Sequence, residues 1–167
     1  KVSNEFFVAG LIHDIGKLVI YITLPNEFFK LVKATRHLKL KFMAFETEKR
    51  VIGMTHDEVG MRLLKKWMFP ESLLTAIGFH HRLQETEKKS LLPVVVHIAD
   101  IFAHLYEMQT VVEVDDPLKT ETLFPDIIKL AQSYEIEWDE SDLNRLQQLL
   151  TESIEKEAVA FSLFFGN

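Results

Sequence analysis

The sequence has no cysteine, few glycines and prolines, and no block of one charge. Its 167 residues include 6 glycines and 5 prolines. The absence of cysteine excludes disulfide bonds, thiolate metal sites and cysteine nucleophiles. Lysine and arginine number 19 against 25 acidic residues, and the resulting charge of −6 is spread along the chain. We therefore expect no direct nucleic-acid binding, because such proteins normally present a basic face.

Long apolar runs and a recognisable leader are also missing. No uninterrupted stretch approaches the roughly 18 apolar residues of a membrane span, and no signal peptide is visible. These absences predict a cytoplasmic protein without a membrane segment. Hydrophobic residues make up 47% of the chain, and its length fits a single domain over residues 1–167. Because the first residue is Lys1 rather than Met, we expect a fragment of a longer protein.

The spacing of the apolar residues is helical nearly throughout, which predicts an all-α fold. Pro25 is well placed to open a helix, and Thr55 with Glu58 forms a capping-box pattern ahead of another. The segment 82–90 is polar and reads as a loop, and residues 110–124 read as an extended loop. The predicted helices are one that ends near His13 and Asp14 and is buried, then 26–38, 56–68, a short one that ends at His80–His81, 91–108, 125–135 and 139–161.

Histidines and carboxylates interrupt these apolar helices at four places. They are His13 with Asp14, His56, the pair His80–His81, and His97 with Asp100. Imidazole nitrogen and carboxylate oxygen are ligands for divalent cations, and inward-facing helices can supply them together. A buried polar side chain needs a partner in any case. The pattern therefore predicts a shared metal site.

Structural explanations compete with this interpretation. A single buried histidine is more often hydrogen-bonded to the backbone than bound to metal, which applies to His97 and His104. Asp57 and Glu58 are favoured at a helix start by the helix dipole alone, and His56 is also acceptable there. The doublets His13–Asp14 and His80–His81 are harder to explain in this way, because each needs two partners at an apolar helix end. Spacing alone leaves both interpretations open.

Four stretches, taken in order, resemble a known family. They are "GLIHDIGKLVI", "THDEVGMRLL", "AIGFHH" and "HIAD". Together they resemble the HD superfamily of metal-dependent phosphohydrolases and, more closely, its HDOD branch in bacterial signalling proteins. The resemblance implies an HD-domain-like bundle of helices that here lacks its N-terminal helices, so that residues 1–167 are the C-terminal portion of one domain.

The same resemblance implies roles for individual residues. The metal ligands would be His13, Asp14, His56, His80, His81 and Asp100, with Asp14 able to bridge two metals. They would hold one or two divalent ions, for which iron, manganese, zinc and nickel suit the donors equally. By analogy with the related HD-GYP enzymes, Lys17 would face a substrate phosphate, so Asp14 and Lys17 are the candidate catalytic residues. His97 has no counterpart among the family's ligands and is interpreted as structural.

Two departures from the family pattern bear on activity. HD enzymes use a further histidine or glutamate upstream of the doublet, and here only Glu5 precedes it, too close in sequence to serve. The glycine-tyrosine-proline motif of the HD-GYP branch is replaced by "RLQETEKKS". Two functions therefore remain: a regulatory signalling module that contacts a partner protein or an attached domain, and an active phosphohydrolase for a nucleotide or another phosphoester.

Overall fold

The described part of the chain is helical. The computed structural model describes residues 4–35, 44–86, 90–110 and 123–165, and no strand occurs among them. The all-α prediction is thus confirmed. The helices are α1 Asn4–Ile12, α2 Ile15–Thr23, α3 Pro25–Thr35, α4 Phe45–Ile52, α5 His56–Lys66, α6 Glu71–Phe79, α7 Leu91–Thr110, α8 Phe124–Ser133 and α9 Glu140–Phe165, with a short 3₁₀ turn at Leu83–Glu85.

Most helix boundaries follow the local signals in the sequence. Pro25 opens α3, and the Thr55 capping box precedes α5, where the Thr55 N–H donates to Glu58 Oε2 over 3.3 Å. The α5 helix ends at Lys66 rather than near Met68, because Met68 adopts a left-handed backbone with φ of 56°. The α4 helix was not predicted. Two predicted segments lie partly outside the described residues. They are residues 111–122 of the predicted extended loop and residues 36–38 of the predicted helix 26–38.

Contacts divide the chain into two compact units, residues 1–104 and 105–167. In the first unit α2 packs on α5, α5 on α6, α3 on α4, and α1 on α6. Its core is formed by Ala9, Leu64, Leu73, Leu74, Ala76, Ile77, Leu92 and Val96. In the second unit α8 contacts α9. The polar residues singled out by the sequence all belong to the first unit.

The first helix differs from its prediction as a buried element. Only Ala9 of α1 is buried, whereas Phe7 and Leu11 are 74% and 72% exposed. The stretch Asn4–Thr23 is long and apolar enough to cross a membrane by length and composition, which is weak evidence near an N-terminus. In the structure a turn at His13 and Asp14 divides it into α1 and α2. A cytoplasmic location stays a prediction.

Two glycines allow α2 and α5 to approach closely. A Cβ on Gly16 would collide with the carbonyl oxygen of His56 and would lie 2.9 Å from the backbone nitrogen of Gly60. A Cβ on Gly60 would in turn lie 3.4 Å from the Gly16 nitrogen. At Gly16 the two backbones therefore meet where only glycine fits. This contact brings the turn before α2 next to the first residue of α5.

Candidate metal centre

The turn between α1 and α2 presents the first two site residues. His13 Nδ1 lies 2.8 Å from the Gly10 carbonyl oxygen, which can only accept, so Nδ1 carries the proton. The Nε2 atom of His13 is thereby left to face inward. Asp14 is the residue before α2 and makes no side-chain capping bond there. Its carboxylate is instead bound by Lys17 Nζ at 2.7 Å.

His56 opens α5 and is oriented by a carboxylate from α4. Glu48 is 1% exposed, and its Oε2 accepts from the backbone N–H of His56 and from His56 Nδ1, each over 2.7 Å. The Nε2 atom of His56 then points to Asp14 Oδ1, 3.1 Å away. A carboxylate that accepts from one ring nitrogen of a metal-ligating histidine fixes the orientation of the ring and raises the basicity of the other nitrogen.

The histidine pair follows directly after α6. His80 is fully buried and donates from Nδ1 to the Ile77 carbonyl over 2.9 Å, so its Nε2 faces the other side chains. His81 stacks on Phe45 of α4, with the ring planes 6° apart and the centroids 5.6 Å apart. The α4 helix therefore supports two of the histidines, His56 through Glu48 and His81 through Phe45.

The six predicted ligands are brought together. The potential ligand atoms of His56, His80 and His81 lie within 4.8 Å of one another, and so do those of His13, Asp14 and His80. Asp100, from α7, extends the second group, because its Oδ1 is 3.4 Å from His13 Nε2. The two carboxylate oxygens of Asp14 face different neighbours, Oδ1 towards His56 and Oδ2 towards His13. The expected convergence in the fold is therefore present, whereas metal ligation itself stays a prediction.

Several of these atoms are buried without a hydrogen-bond partner. They are His13 Nε2, Asp14 Oδ1, His56 Nε2, His80 Nε2 and both ring nitrogens of His81. Buried polar atoms are normally paired, since leaving one unpaired costs about 1–3 kcal/mol. Here the unpaired atoms are nitrogen and oxygen donors that face one another, which is the donor set of a divalent cation. The residues present thus fit a metal ion.

The electrostatics separate the histidines into two kinds. Burial and the neighbouring His56 lower the pKa of His80 to about 4, and burial with the other imidazoles also lowers the pKa of His81. Both rings are neutral at pH 7 and offer free lone pairs. Burial also disfavours the charged form of His56, but its contacts with the carboxylates of Asp14 and Glu48 outweigh this effect and raise its pKa to about 9. A cation would therefore compete with a proton at His56.

The acidic members of the centre stay ionised. Burial would raise the pKa of Asp14, yet the close contact with His56 and the charge of Lys17 outweigh it and hold that pKa well below its usual range. The pKa of Asp100 is likewise lowered, because contact with His13 and the charge of His104 outweigh its burial. For His13, contacts with Asp100 and Asp14 outweigh burial and raise the pKa.

Arg82 links the segment that carries His80 and His81 to the start of α5, which carries His56. Arg82 follows His81 and donates from Nε to Asp57 Oδ2 over 3.1 Å, while its NH2 group donates to the Gly78 carbonyl over 3.0 Å. Asp57 follows His56 and has no exposed surface. The guanidinium therefore connects the end of α6 to the start of α5.

The remaining sequence expectations have different outcomes. Glu5 is remote from the centre: Ser72 at the start of α6 donates to its carboxylate over 3.3 Å, whereas His80 follows the end of that helix. His97 donates to the backbone carbonyl of His80, and its interpretation as a structural residue stays a prediction. Lys17 lies beside Asp14, but no observation tests a catalytic role for either residue.

Sequence reasoning missed Glu48 and the contact made by His104. Phe45, Glu48 and Ile52 fall on one face of α4, and a single carboxylate on that otherwise apolar face was the available signal. His104 Nε2 lies 3.3 Å from Asp100 Oδ1, one helical turn further along α7. The i, i+4 spacing of Asp100 and His104 was the corresponding signal.

Comparison with known proteins identifies a family for part of the chain. Residues 1–83 match the model of the HDOD domain, a range that includes five of the six converging residues. A protein of Treponema pallidum (strain Nichols), described as "Uncharacterized protein", is 28% identical over 93 residues, which cover 54% of this chain and 18% of that protein. This chain thus corresponds to a small part of that relative. No solved structure matches. The first half of this chain, residues 1–83, therefore belongs to the HDOD domain family.

Proposed function

We propose that this chain is a regulatory HDOD module of signal transduction whose centre binds one or two divalent cations. The observation that carries the metal proposal is the set of buried, unpaired nitrogen and oxygen atoms that converge from separate helices. A protein that bound nothing there would carry the cost of several unpaired polar atoms at one place.

The distances suggest how the donors divide between two positions. One position would be held by His13, Asp14 and Asp100. The other would be held by Asp14, His56, His80 and His81, with Asp14 shared because its two oxygens face different neighbours. Nitrogen and oxygen donors of this kind suit iron, manganese, zinc or nickel.

The positions of the donors in the fold support a regulatory role. They lie on the α1–α2 turn, at the start of α5, after α6 and within α7. A cation that binds this folded arrangement but not the unfolded chain stabilises the whole first unit. Such a unit can present an ordered surface to a partner protein or to an attached domain. The much greater length of the Treponema relative supports the attached domain.

A metal-dependent phosphohydrolase is the second candidate, and one observation favours it. Side chains of Asp14 and Lys17 are 34% and 32% exposed, whereas that of His56 is 2% exposed. A phosphoester can therefore reach the centre from the Lys17 side. A bound divalent cation would supply Lewis acidity and activate a water. Lys17 would exchange its bond with Asp14 for a phosphate oxygen and offset the developing charge.

The deciding experiment combines metal analysis with a phosphodiesterase assay. Purified protein is loaded with Mn²⁺, desalted and analysed for retained metal, and hydrolysis of bis(p-nitrophenyl) phosphate is then followed. We expect retained metal in the wild type, loss of it in His80→Ala, and no loss in His37→Ala, because the sequence predicts that His37 lies on the lysine-rich outer side of the predicted helix 26–38.

Each result separates the alternatives. Retained metal without turnover supports the regulatory module. Turnover that is abolished in both His80→Ala and Lys17→Ala supports the phosphohydrolase. A wild-type protein that retains neither Mn²⁺ nor Fe²⁺, Zn²⁺ or Ni²⁺ contradicts the metal site altogether.

A further inference from the structure

One imidazole beside the centre is not among the ligands implied by the family. His104 lies one turn after Asp100 on α7, with Nε2 3.3 Å from Asp100 Oδ1. We infer that His104 is a direct metal ligand at the position held by His13, Asp14 and Asp100. This inference rests on the proposed metal site and concerns its composition.

The first argument is a continuous series of distances. Asp14 Oδ2 lies 3.5 Å from His13 Nε2, His13 Nε2 lies 3.4 Å from Asp100 Oδ1, and Asp100 Oδ1 lies 3.3 Å from His104 Nε2. Two donors at about 2.1 Å from one tetrahedral cation are separated by about 3.4 Å. Each successive pair of donors in this series therefore has the spacing of neighbouring ligands around a single ion.

The second argument is helix geometry. Residues four apart on a helix project from the same face, and metal-binding motifs use this spacing to place two donors on one ion. Asp100 and His104 have this spacing, and their side chains are 6% and 16% exposed. The two donors face the cluster together.

The third argument is the number of donors. The ligand atom of His80 lies within 4.8 Å of those of His13 and Asp14 as well as of those of His56 and His81. With His80 assigned to the other position, this position has three protein donors without His104, and Glu5, which precedes the doublet, is held by Ser72 near the other end of α6. With His104 the count reaches four, the number typical of structural sites. Neither Asp100 nor His104 belongs to the groups whose atoms lie within 4.8 Å of one another, so metal binding would draw both side chains inward.

A positioning role is the alternative, in which His104 only donates a hydrogen bond to Asp100. Two substitutions separate the roles. His104→Ala removes both the ring and the bond, while His104→Gln keeps an N–H donor near Asp100 but is a poor ligand. His37→Ala is the matched control, since it also removes one histidine.

The experiment is a Co²⁺ titration followed by calorimetry and by visible d–d absorption, which reports the donor set without any activity assay. We expect two equivalents in the wild type. In both His104→Ala and His104→Gln one equivalent binds as before, and the other weakens at least tenfold with a changed spectrum. His37→Ala should match the wild type.

Other outcomes are equally informative. Recovery of both affinity and spectrum in His104→Gln overturns the inference in favour of positioning. Two unchanged equivalents in both variants overturn it also, as does a wild type that binds one ion unaffected by either change. A wild type that binds no metal instead overturns the proposed function itself. If neither variant folds, two-dimensional NMR of the Zn²⁺-loaded wild type decides, through a shift of the His104 Nε2 resonance or its absence.

Discussion

The two sides of the centre are built differently. On the deep side His56 and His80 are almost fully buried, and their rings are oriented by Glu48 and by the Ile77 carbonyl, while Phe45 stacks on His81. On the outer side Asp14 and Lys17 lie on a turn and the first turn of α2, about one-third exposed. The deep side is therefore held in place before any ion arrives, whereas the outer side can rearrange. This difference suggests that the deep side determines affinity and the outer side determines access.

Loss of Glu48 should have the largest effect, because it removes the support of the deep side. In Glu48→Ala the buried His56 loses the partner of its Nδ1 and of its backbone N–H, and we expect a loss of about 3–5 kcal/mol in the free energy of unfolding. Metal affinity should fall by about 10–100-fold. Urea unfolding and calorimetry measure the two effects. Glu46→Ala, an exposed change on the same helix, is the control, and equal behaviour of the two variants would refute the supporting role.

The next largest effect should come from separating the two sides at the α2–α5 contact. In Gly16→Ala the new methyl group meets the His56 backbone, which cannot move aside as a flexible side chain would. We expect a loss of about 3 kcal/mol and weaker metal binding. Gly10→Ala is the matched control, since a Cβ there meets nothing within 4 Å and should stabilise α1 by about 0.5–1 kcal/mol. Thermal melts of the two variants should shift in opposite directions.

Some parts of the fold and of the candidate site could be predicted from the sequence, and others could not. The helical period and the capping signals at Pro25 and Thr55 are local, so most of the helices could be predicted. The six converging residues could be predicted because their motifs appear in a characteristic order. Glu48 was missed because α4 itself was not predicted, and the position of Glu48 on the apolar face of α4 becomes informative only when α4 is placed against α5. The exposure of α1 was missed for a similar reason, since an apolar sequence does not reveal which face finds a partner.

A smaller effect is expected where Arg82 ties the two histidine segments together. Arg82→Ala leaves the carboxylate of Asp57 buried without its cation, at a cost of about 1–3 kcal/mol. Metal affinity should fall less than in Glu48→Ala, because the rings keep their own supports. Arg82→Lys should recover part of the stability and not all, since an ammonium cannot reach Asp57, Glu85 and the Gly78 carbonyl together. Full recovery in Arg82→Lys would show that charge alone matters.

The smallest effect should be a pH dependence of the metal-free protein. The pKa of His56 is about 9 in the fold against an ordinary 6.5, so its contribution to stability is complete below pH 6.5 and is lost as the pH rises through 9. With EDTA present, the melting temperature should therefore fall between pH 6.5 and pH 9. His56→Gln should flatten this slope. A melting temperature that rises over the same interval would contradict the protonation assigned to His56.

The most direct test of the central claim is X-ray absorption spectroscopy of the metal-loaded protein. If the buried donors hold a cation, the spectrum should show imidazole nitrogens and carboxylate oxygens at about 2.0–2.2 Å, with the multiple scattering that histidine rings produce. The imidazole contribution should diminish in His80→Ala. A coordination shell of water oxygens alone, unchanged by that substitution, would contradict the account.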